Sequence, residues 1–125
     1  MLPDSAVTSR RTKRGDRMAK YLFHGAYTLD GIRGVMKEGG TSRRDAVSRL
    51  IGGLGGTLES FYFAFGSDDF YITVDLPDNV SAAAIAMTVG AAGGASSDTI
   101  VLLTPEEVDR ATKVSVPYRA PGQPK

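Results

Sequence analysis

Two β-favouring runs joined by a very short loop constrain the fold of this chain more than any other feature. Residues 57–65 read TLESFYFAF and residues 69–76 read DFYITVDL, with only Gly66, Ser67 and Asp68 between them. Aromatic and β-branched residues favour strands, and Gly and Asp favour tight turns. The two runs are therefore predicted to form an antiparallel hairpin.

Helical and strand patterns flank this hairpin on both sides. Before it, KYLFHGAYT (residues 20–28) predicts a strand. Two helical stretches follow, separated by Gly39-Gly40 and ended by the GGLGG run. After the hairpin, the almost wholly apolar residues 79–92 predict a helix, DTIVLL (98–103) predicts a strand, and TPEE at 104–107 begins a last helix to about residue 115 with a capping box.

The order of these elements is β-α-β-β-α-β followed by a short C-terminal helix. That order predicts an α+β, ferredoxin-like fold, in which a four-stranded antiparallel sheet carries its helices on one face. We expect the domain to span residues 19–115. Residues 1–18 are predicted to be a disordered basic extension, in which Met18 is a candidate for the true start, and residues 116–125 a flexible Pro-rich tail.

The second face of the predicted sheet is unusually apolar for a surface in contact with water. Simple alternation in residues 57–65 gives two faces that both carry aromatic side chains: Glu59, Phe61, Phe63 and Phe65 on one, and Leu58, Ser60, Tyr62 and Ala64 on the other. One layer of helices covers only one face. We therefore predict a homodimer, or a higher oligomer, formed through the open sheet face as a dimeric α+β barrel; the alternative is a monomer with an apolar sheet.

Composition excludes several classes of function. The chain has no Cys and only one His, His24, and GGLGG follows a helix rather than opening one, so we expect neither a metal nor a cofactor. Residues 1–20 carry a net charge of +4, whereas residues 21–125 carry −3, which argues against a nucleic-acid surface on the domain. No apolar run is long enough to cross a membrane, and the N-terminus has no secretory signal pattern, so a cytoplasmic protein is expected.

Several stretches together resemble the GYD-domain family. They are FGSDDF in the hairpin loop, LGG at 54–56, FYFAFG at 61–66, VDLPD at 74–78 and LLTPEE at 102–107. Gly66 and Asp69 correspond to the Gly and Asp of the family signature, whereas Asp68 stands where Tyr is expected. The resemblance covers about residues 19–115 and implies a small bacterial protein with a ferredoxin-like, dimeric α+β barrel fold. It implies little about activity, because the family is largely of unknown function.

Three side chains are candidates for acid–base chemistry on the open face: His24, Tyr71 and Asp75. The first and third strands are central neighbours in this topology, so His24 can meet Tyr71, Thr73 or Asp75 if it faces away from the helices. A purely structural, hydrogen-bonded histidine is the competing interpretation. Adjacent strand residues point to opposite faces, so Asp68 and Asp69 are interpreted as turn residues rather than as a carboxylate pair, with Asp69 anchoring the hairpin or contacting a partner.

Three functions remain open on the sequence alone. The first is a non-enzymatic oligomeric module that binds a small apolar molecule or a protein partner in the cleft between two sheets. The second is a cofactor-free enzyme of the oxygenase, isomerase or dehydratase type, in which His24 is the acid–base group. The third is a structural oligomer that scaffolds other proteins. Fold alone does not decide among them.

Overall fold

A computed structural model describes residues 18–124, so all of the predicted N-terminal extension but Met18 lies outside the described residues. The elements are β1 (Ala19–Tyr27), α1 (Leu29–Glu38), α2 (Gly40–Gly53), β2 (Thr57–Phe63), β3 (Phe70–Leu76), α3 (Asn79–Ala92), β4 (Ala95–Leu102) and α4 (Pro105–Ala111). This order confirms the predicted α+β, ferredoxin-like arrangement. The largest differences from the predicted bounds are that β2 ends at Phe63 rather than Phe65, β4 begins at Ala95 rather than Asp98, and α4 ends at Ala111 rather than near Ser115.

The four strands form one antiparallel sheet in the order β2-β3-β1-β4. β1 and β3 are the central pair, and their register places Tyr21 opposite Val74 and His24 opposite Tyr71. β4 pairs with the other edge of β1, where Asp98 lies opposite His24. His24 therefore occupies the middle of the sheet, with a neighbouring strand on each side.

Local capping chemistry accounts for where α1, α3 and α4 begin. The side chains of Thr28, Asp78 and Thr104 each accept a backbone N–H in the first turn of α1, α3 and α4, and Glu107 completes a capping box with Thr104. Gly39 separates α1 from α2 with φ of 87°, a left-handed value that glycine adopts readily. Within residues 18–124, none of the helices is long and apolar enough to span a bilayer.

The core lies between the helices and one face of the sheet. In β3 the buried positions alternate strictly, and Val74 and Leu76 are wholly buried. Tyr21 of β1 and Ile51 of α2 complete the most deeply buried set, each with 1% of its surface exposed. The hydroxyl of Tyr21 donates to Asn79 Oδ1 at 2.5 Å, so this buried phenol is satisfied at the start of α3.

A β-bulge in β2 overturns the simple alternation predicted for that strand. Leu58 lies opposite Val74 but Ser60 lies opposite Thr73, so Glu59 is the extra residue between them. Beyond the bulge, Phe61 and Phe63 return to the helix side with Leu58, and Tyr62 lies on the other side with Ser60. The predicted pairing of Glu59 with the two phenylalanines was therefore wrong, because one inserted residue exchanges the two faces of a strand.

Candidate functional site

The side of the sheet that faces away from α1, α2 and α3 is the candidate site, and we call it the open face. Because Tyr21 and Phe23 are buried under the helices, their neighbours along β1 must point the other way. Register then assigns the open face from strand to strand: Lys20, Leu22 and His24 of β1; Tyr71, Thr73 and Asp75 of β3; Glu59, Ser60 and Tyr62 of β2; and Asp98, Ile100 and Leu102 of β4.

A row of aromatic side chains crosses the open face at the level of His24. Tyr62 lies opposite Tyr71, and Tyr71 lies opposite His24. The rings of His24 and Tyr71 are stacked, with centroids 5.9 Å apart and an angle of 10° between their planes. Tyr62 is 69% exposed and Tyr71 is 41% exposed. The row therefore presents aromatic surface that the described part of the chain leaves uncovered.

Asp68 pairs with His24 from the hairpin loop. Its Oδ2 lies 2.5 Å from Nδ1 of the imidazole, and both side chains are partly buried. A carboxylate accepts, so Nδ1 carries the proton in this bond and Nε2 is the nitrogen left for another partner. Asp68 was predicted only to be a turn residue, and its contact with His24 was not predicted. No local signal indicates it, because the two residues are 44 positions apart.

Asp75 lies at the other end of the open face and does not join His24. Its Oδ1 accepts a hydrogen bond of 2.9 Å from Lys20 Nζ, and Glu59 Oε1 lies 2.9 Å from the same nitrogen. Lys20 and His24 are separated by about 13 Å along β1. Of the three predicted acid–base residues, the fold thus brings His24 and Tyr71 together and places Asp75 in a separate ion-pair cluster.

The ion-pair cluster shifts the pKa of two of its members. Burial lowers the pKa of Lys20, but the hydrogen bonds and charges of Asp75 and Glu59 outweigh that effect, so the pKa lies above its ordinary 10.5. The hydrogen bond from Lys20, with a second one from Thr73, holds the pKa of Glu59 below its ordinary 4.5. Each shift favours the charged form, which is what a structural ion pair requires.

Asp69 ties the hairpin to β1 through backbone groups. Its Oδ2 accepts from the N–H of Tyr27 at 2.9 Å, and its own N–H donates to the carbonyl oxygen of Gly25 at 2.6 Å. Asp68 and Asp69 therefore bind different partners and form no carboxylate pair. At Gly66 the space around the backbone does not require glycine, since an added Cβ would meet nothing within 4 Å among the described residues.

Large apolar side chains remain exposed around this face. Ile100 on β4 is 43% exposed, and Phe65, next to Gly66 in the hairpin loop, is completely exposed. On the open face itself, Ile100 lies on the same side as Tyr62 and Tyr71, and the three make an apolar surface. Such surfaces on folded domains commonly mark contact with a partner or a ligand.

A polar cleft of about 540 Å³ adjoins the Lys20 end of the open face, where α4 approaches the sheet. Its lining includes Asp75, Glu106, Glu107 and Arg110. Two of these carboxylates are already engaged, Asp75 by Lys20 and Glu107 by the N–H of Thr104. Among residues 18–124, no group of three or more acidic or histidine side chains is arranged to hold a metal ion.

Comparison with known proteins gives one family. A model described as the GYD domain matches residues 21–112, from β1 to the end of α4. No curated protein and no solved structure gives a significant match to the chain. The matched span contains the whole sheet, His24, Asp68 and Asp69.

Proposed function

The chain belongs to the GYD domain family, and on the basis of its open sheet face we propose that it is a non-enzymatic, homodimeric binding module. Two copies pair through their open faces, and the cleft between the two sheets holds a small, largely apolar ligand. The observation that carries this proposal is the exposure of Tyr62, Tyr71 and Ile100 on a face that the helices do not cover.

A second copy of the same chain is well suited to cover the open face. Exposed aromatic rings are the side chains that contribute most to protein interfaces, and a face that meets itself across a two-fold axis needs no other gene product. The open face also carries polar groups at fixed positions, such as His24, whose Nε2 makes no hydrogen bond within residues 18–124 and can orient a ligand in an otherwise apolar cleft.

Native mass spectrometry of the protein purified from its source tests both parts. We expect a species of twice the 13.2 kDa chain mass that carries additional mass from a co-purifying organic molecule. Ile100→Lys places a charge in the proposed interface and should give monomers. Val80→Lys, at a 77% exposed position on α3, is the matched control and should stay dimeric. A monomer mass for the native chain at micromolar concentration would overturn the proposal.

The pairing of His24 with Asp68 favours a second candidate, a cofactor-free enzyme in the same cleft. Asp68 would fix the imidazole with Nδ1 protonated, so that Nε2 can take a proton from a bound ligand and return it. Tyr71, stacked on the ring, would be a second proton donor. The test is to incubate the co-purifying molecule with the protein in D₂O. The enzyme is supported if the molecule incorporates deuterium or is converted, and if His24→Gln abolishes that reaction. If neither incorporation nor conversion occurs, the binding module is favoured.

A further inference from the structure

A second concave surface lies on the opposite side of the sheet, between α2 and α3. It has three adjoining sections that all include Leu50 and Val89. The deepest, of about 100 Å³, reaches the sheet at Phe23 and Ile72. A section of about 270 Å³ runs between the two helices past Leu54 and Ile85. A third, of about 370 Å³, opens toward α1 at Gly34 and Val35. We call the three sections the helical groove.

The lining of the helical groove is mostly apolar, yet it includes one guanidinium. Arg43 of α2 is half-buried and lines both the deepest section and the section beside α1. Within residues 18–124, it takes part in none of the ion pairs. A half-buried cation beside apolar side chains is a site at which an anionic group can bind.

Tyr27 lies beside Arg43 and lines the same two sections. Burial raises the pKa of Tyr27 and the nearby charge of Arg43 opposes this, while Asp69 and Glu38 raise it further. The phenol is therefore a neutral hydrogen-bond donor near the guanidinium. Asp30 and Glu38 line only the outer section, and Glu38 Oε1 accepts a hydrogen bond of 3.0 Å from Ser42, so the inner end of the groove has Arg43 as its only charged side chain among the described residues.

We propose that the helical groove binds a medium-chain aliphatic carboxylate, with the carboxylate on Arg43 and the alkyl chain against Leu50, Ile85 and Val89. The charge of the deepest section matches this ligand, because Arg43 is its only charged side chain among the described residues and its other side chains are mostly apolar. Protein interiors are close-packed, so side chains that line an empty space lack van der Waals contacts. An alkyl chain in the deepest section would supply those contacts. This site is separate from the open face, so the proposal does not rest on the dimer.

Calorimetric titration with decanoate and with decanol separates the charge from the alkyl chain. The native chain should bind decanoate with saturation at one molecule per protomer, and decanol about tenfold or more weakly, because decanol lacks the charge-assisted bond. Arg43→Gln should reduce the decanoate affinity to that of decanol and leave decanol unchanged. Arg49→Gln, an exposed position on the same helix, is the matched control and should bind like the native chain. Octanoate should bind more weakly than decanoate by about fourfold for each methylene removed.

Two further variants locate the ligand. Leu50→Asp places a carboxylate where the three sections meet and should abolish decanoate binding, whereas Met87→Asp, at a 70% exposed position on α3, should not. Thermal unfolding followed by circular dichroism checks that both variants fold. Equal decanoate affinities of Arg43→Gln and Arg49→Gln, no saturable binding to the native chain, or unchanged decanoate binding in Leu50→Asp would each overturn the proposal. If Tyr71→Ala lost decanoate binding while Arg43→Gln and Leu50→Asp kept it, the ligand would lie on the open face instead.

Discussion

His24 Nδ1 lies 2.5 Å from Asp68 Oδ2, and this bond joins the centre of β1 to the hairpin loop between β2 and β3. Stacking on Tyr71 restrains the same ring from the neighbouring strand. The one imidazole of the chain is thus oriented by two contacts, and its Nε2 is directed away from the loop carboxylate. The enzyme candidate for the open face depends on this orientation.

The first prediction concerns the tautomer of His24. In the native protein the ¹⁵N chemical shifts of the imidazole should report a protonated Nδ1, because Asp68 accepts from it. Asp68→Asn should weaken this bond and allow a mixture of tautomers. Asp98→Asn changes the residue opposite His24 on β4 and should leave the shifts unchanged. Since His24 is the only histidine, its signals need no assignment. Identical spectra for native and Asp68→Asn protein would contradict the pairing.

The second prediction concerns Asp69, which anchors the hairpin. Asp69→Ala removes the acceptor of the Tyr27 N–H and should lower the free energy of unfolding by about 1–3 kcal/mol, as expected for a hydrogen bond to a charged group. Asp68→Ala loses only a partly exposed contact and should cost less. Urea denaturation of both variants makes the comparison. A larger cost for Asp68→Ala would show that the anchor has been assigned to the wrong carboxylate.

The third prediction concerns the ion pairs of Lys20 with Glu59 and Asp75. Lys20→Met should lower the free energy of unfolding at pH 7 by about 0.5–1 kcal/mol, because the pairs are partly exposed to solvent. Lys113→Met, at an exposed position in the segment after α4, should have almost no effect.

The difference in the free energy of unfolding between the native chain and Lys20→Met should depend on pH, as the two pKa shifts require. The pKa of Glu59 is lowered, so its stabilisation is present above pH 4.5 and is lost as the pH falls through the lowered pKa. The pKa of Lys20 is raised, so its stabilisation is present below pH 10.5 and is lost as the pH rises through the raised pKa. The native chain and Lys20→Met should therefore converge in stability at both extremes. A difference that stays constant with pH would exclude the ion pairs as its cause.

The fourth prediction compares two glycines of α1. A Cβ at Gly31 would lie 1.8 Å from the carbonyl oxygen of Gly94, whereas a Cβ at Gly34 would meet nothing within 4 Å. Gly31→Ala must displace backbone and should cost about 1–3 kcal/mol. Gly34→Ala should stabilise the chain by about 0.5–1 kcal/mol through helix propensity. Thermal denaturation of the two variants should move the midpoint in opposite directions, and equal shifts would contradict the close approach of α1 to Gly94.

The order of elements and the capping box at the start of α4 could be read from the sequence, because they depend on short-range chemistry. Thr104 and Glu107 form the predicted capping box within a single turn. The hairpin follows from three loop residues between two strand-forming runs. The family could also be predicted from the sequence, because the stretches that resemble it are short and contiguous; the match to the family model confirms that prediction.

Only the tertiary structure decided which side chains meet on the open face. The bulge at Glu59 reversed the faces of Phe61 and Tyr62, because a single inserted residue changes the parity of a strand without leaving a mark in local composition. Asp68 reaches His24 across 44 residues, and Asp75 is drawn to Lys20 instead. Local sequence determines each strand and turn, whereas register, which depends on the pairing of distant strands, determines the site.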